Sequence, residues 1–92
     1  MKKELSDISE TEINEFYKTI SENVKGARSA IKMSQLELSL KLGIKSIAFY
    51  SNCENLRYNK HFNLEHIYKI SKALDIDMCE LIKKNSSQFT HS

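Results

Sequence analysis

The chain has 92 residues, which suits one small compact domain, and its apolar content of 40% with 28% charged residues excludes global disorder. It has no proline and only two glycines, too few for strands joined by tight turns, so an all-α fold is expected. A net charge of +2 permits nucleic-acid binding without requiring it, and only a local basic surface can carry that function.

Residues 1–19 precede the main body of the pattern, and a helix is expected within them from about residue 10, capped by Ser9 or Thr11. Ile13, Phe16, Tyr17, Ile20, Val24, Ala27 and Ile31 recur at three- and four-residue steps, the stripe of an amphipathic helix. Unbroken from Glu10 to Ile31, that helix would be roughly 33 Å long. A break near Lys18 to Ser21 is the alternative. Ser34 and Glu37 form a capping box that opens a second helix, 34–42. Gly43 closes it in a left-handed conformation, and Ile44 plugs the core. Ser46 caps a third helix, about Ile47 to Asn55. A loop with Arg57, Lys60 and His61 follows. Asn63 then caps a helix whose core face reads Leu64, Ile67, Tyr68, Ile70, Ser71 and Leu74. Asp77 and Glu80 form a second capping box for a last helix with Met78, Leu81 and Ile82. Residues 85–92 are polar and aperiodic and read as a flexible tail.

Cys53 and Cys79 form no CxxC and are expected to be reduced, buried thiols. His61, His66 and His91 have no partners at metal-ligand spacing. No nucleophile stands beside a base, no carboxylates pair, and no glycine loop cradles a phosphate. Neither an enzyme nor a cofactor is therefore expected. No apolar run suits a signal peptide or a membrane span, so the expected location is cytoplasmic.

Two short helices around a glycine turn make the helix-turn-helix outline. The small Ser39 lets the two helices approach, and Gly43 supplies the positive φ that aims the second one outward. Further residues sharpen the outline: Ile20, Val24, Ala27 and Arg28; then Met33-Ser34-Gln35, Leu38-Ser39 and Leu42-Gly43-Ile44; then Asn63-Leu64-Glu65, Ile67 and Lys69 to Ile76. With these the sequence resembles the Cro and phage-repressor type helix-turn-helix family, often called the XRE family, over about Ile20 to Ile82. The resemblance implies a five-helix, lambda-repressor-like DNA-binding domain at 20–84 with an N-terminal helical extension. It implies a transcriptional regulator, a repressor acting by operator occupancy, that binds double-stranded DNA as a homodimer with its third helix in the major groove.

By the same resemblance Gln35 matches a phosphate-contacting position. Arg28 and Glu54 match a structural pair that braces the third helix. Lys32 stands where the family has glycine, so the first turn must differ or hold a non-glycine residue in an uncommon conformation. Lys45 reads as one inserted residue in the central turn. That register puts Tyr50 and Cys53 on the core positions, whereas without the insertion Phe49 and Asn52 take them and an asparagine is buried. Asn55 can then serve as the left-handed cap of the third helix.

In the inserted register the DNA-facing set is Lys45, Ser46, Ile47, Ala48, Phe49, Ser51 and Asn52, flanked by Arg57, Lys60 and His61. Ile47 and Ala48 cannot bond base edges but can pack on thymine methyls, and Asn52 can pair with adenine. Lys41 reads as a solvated lysine. The exposed Ile47, Ala48 and Phe49 equally suit a protein partner, as in an antitoxin-like regulator, since an apolar patch on a small domain is a binding surface of either kind. The stripe of Ile13, Phe16 and Tyr17 can fold onto its own core or meet its counterpart in a second copy.

Overall fold

A computed structural model describes residues 7–84; the expectations for residues 1–6, the tail at 85–92 and His91 lie outside the described residues. Five α-helices follow one another: α1 Glu10–Ala30, α2 Gln35–Lys41, α3 Ile47–Asn55, α4 Leu64–Leu74 and α5 Met78–Ile82. A short tight turn, Arg57–Asn59, joins α3 to α4. The α1 helix runs unbroken past residues 18–21, so the expected extension and the body share one element. No helix among the described residues is long and apolar enough to cross a membrane.

Each helix starts where a polar side chain can take its orphan amides. Ser9 Oγ accepts from the Glu12 N–H, and Ser34 and Glu37 close a full capping box. Ser46 Oγ accepts from the Phe49 N–H, and Asn63 Oδ1 from the His66 N–H. The box expected at α5 does not close: Asp77 Oδ1 accepts from the Cys79 N–H, and Glu80 pairs with Lys83 instead. One reason is reach, since a salt bridge one turn on competes for the Glu80 carboxylate.

Three helices end in the same device. The amide that follows a left-handed residue returns to a carbonyl five back. Gly43, at φ 77°, does this for α2, with Ile44 N–H bonded to Ser39 O at 2.9 Å. Lys32, at φ 59°, does it for α1, with Met33 N–H on Arg28 O at 3.1 Å. Asp75, at φ 55°, does it for α4 through Ile76 and Ser71. Thus the first turn keeps the backbone that favours glycine and holds a lysine in it. The α3 helix ends differently from expectation: Leu56, not Asn55, is left-handed, at φ 56°. Asn55 stays helical and turns its amide back to Ser51 O at 2.9 Å.

The core is Ile20, Val24, Leu38, Leu42, Tyr50, Cys53, Phe62, Ile67, Ile70, Leu74 and Leu81. Ile44 packs against it from the turn. Ser39 is buried between its neighbours, and its hydroxyl donates to Leu36 O, so its burial leaves that hydroxyl satisfied. Periodicity overstates the core in both α4 and α1. Leu64 is 76% and Tyr68 53% exposed, because α4 buries a narrower stripe than its apolar residues mark. Ile13, Phe16 and Ile31 are exposed too, since the ends of α1 overhang the bundle. Cys79 is a free, exposed thiol, against the expectation of burial, because it sits one residue into α5 on its outer side; Cys53 is free and buried as expected.

Candidate nucleic-acid interface

The α3 helix is held from behind by one buried carboxylate. Glu54 receives Arg28 side-on, Nε to Oε2 and Nη2 to Oε1, both at 2.9 Å. Tyr50 Oη donates to Oε2 at 2.7 Å and Gln35 Nε2 to Oε1 at 2.7 Å. Arg28 Nη1 also donates to Met33 O at 2.7 Å, tying the turn between α1 and α2 into the same cluster. The Glu54 side chain is fully buried, and burial opposes its charge. The hydrogen bonds from Arg28, Tyr50 and Gln35 outweigh that cost and hold its carboxyl below the ordinary carboxylate range. Its hydrogen bond with Glu54 raises Arg28 in turn, while burial and then the same carboxylate push the Tyr50 phenol far up. The result is a buried ion pair with α1, α2 and α3 all bonded to it.

Tyr50 and Cys53 point into the core with no exposure, as the register with an inserted Lys45 requires. Ser46, Ile47 and Ala48 are therefore on the outside of the first turn, with Lys45 exposed just before them. Ile47 is 44% exposed. Phe49 is not part of this outer edge in the expected way. It is half-buried, packs against the core, and meets the His66 ring edge-on at 5.9 Å between centroids. The reason is angular: Phe49 is one residue from Tyr50 and four before Cys53, so it borders the buried stripe. Ser51 and Asn52 are half-buried one turn on, and Ser51 takes the Asn55 amide on both its oxygens.

At the far end of α3 the chain turns sharply. Lys60 N–H bonds to Arg57 O at 3.0 Å across Tyr58 and Asn59, both left-handed, at φ 56° and 59°. This is the backbone of a mirror-image tight turn, which normally holds glycine or asparagine. A tyrosine there costs on the order of 1–3 kcal/mol. The turn sets Arg57 and Lys60 in solvent with Tyr58, 80% exposed, between them. Sequence reasoning passed over Tyr58, although an aromatic residue alone in a polar loop is a signal of its own.

His61 is placed otherwise than a phosphate contact would need. Its ring stacks on Tyr17 of α1, with centroids 3.7 Å apart and planes 16° from parallel. This pins the loop to the first helix, and Phe62 beside it is buried. Gln35 spends an amide hydrogen on Glu54. The structure thus brings together Lys45, Ser46, Ile47 and Ala48 at one end of α3 and Arg57 and Lys60 at the other. Phe49 and His61 face inward, and Gln35 joins Arg28 and Glu54 in the brace. Among the described residues no group of His, Cys, Asp or Glu can hold a metal ion.

No family model, no curated protein and no solved structure matches this chain.

Proposed function

We propose that this protein is a sequence-specific duplex-DNA-binding transcriptional regulator, a repressor that acts as a dimer by occupying an operator in the cytoplasm. The observation that carries the reading is the braced α3. Its back is fixed by the four-way Glu54 cluster, and its first turn, Ser46 to Ala48, projects between Lys45 and the Arg57–Lys60 turn. A rigid helix with cations beyond both ends suits a groove bordered by two phosphate strands. The cations and the α3 N-terminus hold phosphate, and Ile47 and Ala48 pack on thymine methyls.

Fluorescence anisotropy with a random-sequence duplex at low salt tests the reading, followed by selection of bound duplexes from a random pool. Binding is expected, with thymine-containing steps enriched. Ile47→Asp should weaken it by placing a carboxylate against the groove. Absence of any binding at low salt overturns the reading. Retention of full affinity and selectivity by Ile47→Asp would favour the rival, an antitoxin-like module that uses Ile47 and Ala48 against a protein. Phe49 is the poorer probe for this choice, because it also packs the core.

A further inference from the structure

We propose that two copies of this chain associate reciprocally, the acidic first turns of α1 in each copy seating in the basic groove between α2 and α4 of the other. This names the surfaces of the dimer invoked above and does not depend on DNA.

The groove is shallow, an exposed apolar surface with a rim of a single charge sign. Leu40 is 66% and Tyr68 53% exposed, with Ala73 beside them. The charged residues lining it are Lys41, Lys69 and Lys72, and no carboxylate lines it. Lys69 is held by Glu65 at 2.9 Å, and Lys72 lies over the Tyr68 ring at 5.4 Å from its centroid. Lys41 and Lys72 have no carboxylate partner among the described residues. An occupant must bring bulky apolar side chains on one face, flanked by carboxylates.

The chain itself carries such a segment. The first turns of α1 expose Ile13 and Phe16, at 43% and 48%, three residues apart on one side of the helix. Among the described residues Asp7, Glu10, Glu12 and Glu15 surround them with Lys18 as the one cation, a balance of −3 over residues 7–18, opposite Lys41 and Lys72. Stripe-on-stripe pairing of two such arms would bring like charges together, whereas arm on groove brings opposite charges together. The α1 helix packs chiefly on α5 and α3, with a smaller contact to α4. A two-fold dimer makes the arm–groove contact twice.

Sedimentation equilibrium on the full-length, DNA-free protein tests this. Wild type should be a dimer at low salt and shift to monomer as salt rises. Glu12→Lys/Glu15→Lys should be monomeric, and so should Lys41→Glu/Lys72→Glu, each with wild-type helix content by circular dichroism. An equimolar mixture of the two variants should recover the dimer, because both contacts are again between opposite charges. A wild type that is monomeric at low salt, a dimer indifferent to salt, variants that stay dimeric, or a mixture that stays monomeric would each overturn the proposal. If a variant loses its helix content, the wild-type salt titration alone decides.

Discussion

Glu54 is a carboxylate with no exposed side-chain surface in a chain of this size, and its position shapes what α3 can do. A charge taken out of water needs every lone pair answered, and here guanidinium, phenol and amide answer them. Removing one donor therefore costs more than one hydrogen bond is worth. Arg28→Met should lose about 3–5 kcal/mol in urea unfolding, because the buried charge loses its counterion. Adding Glu54→Leu and Tyr50→Phe should recover most of that, since no charge or hydroxyl is then stranded. Wild-type stability should also fall in acid. The folded carboxyl titrates below the unfolded value of about 4.3, so the stabilisation is present above that pH and fades as pH drops through the folded pKa. The triple variant should lack this component. Equal losses in the single and triple variants would show that the carboxylate is not the source of the cost.

At the scale of elements, caps decide where helices begin, and one of them titrates. The Asn63 N–H donates to His66 Nδ1 at 3.0 Å while the His66 N–H donates to Asn63 Oδ1, a capping box with histidine in the glutamate position. Nδ1 can accept only in the neutral ring, and burial lowers the His66 pKa. The unfolded ring protonates near 6.5, so the cap contributes fully above that pH and is lost as pH falls through the lower folded pKa. His66→Gln keeps an acceptor without a titration. It should remove the pH dependence of melting that the cap contributes below about pH 6.5, by an amount of up to about 1 kcal/mol. An unchanged profile in His66→Gln would mean that another group titrates there.

The caps were legible in the sequence because a side chain and its amide are three residues apart. Ser34, Ser46 and Asn63 all stand where local spacing puts them, and the burial of Tyr50 and Cys53 separates the two registers at Lys45. Non-local choices were not legible. Leu64 and Tyr68 share the apolar periodicity of Ile67 and Leu74, but only the packing of α4 on its neighbours says which face is covered. The left-handed Leu56, Tyr58 and Asn59 carry no glycine to mark them. The inward placement of His61 depends on Tyr17, 44 positions away in the chain, and no local pattern links them. Asn23 is a similar case: its amide donates to Leu81 O and Lys83 O at 3.0 and 2.7 Å, closing the end of α5 from α1.

For the whole molecule, the small net charge matters less than where the cations stand. A charge of +2 spread evenly would give weak, diffuse attraction to DNA. Lys45 lies before one end of α3, and the tight turn holds Arg57 and Lys60 beyond the other, with Tyr17 and Phe62 anchoring the chain behind it. A duplex seated on α3 would then meet cations on both flanking strands, and the apolar Ile47 and Ala48 would face the groove without opposing that attraction. Each phosphate so neutralised adds about 0.9 to the slope of log affinity against log salt. Arg57→Ala should lower that slope by about 1 and weaken binding to specific and random duplexes alike, because a phosphate contact carries no sequence information. Equal slopes for wild type and Arg57→Ala would remove the turn from the interface and leave the N-terminal end of α3 to hold the duplex by itself.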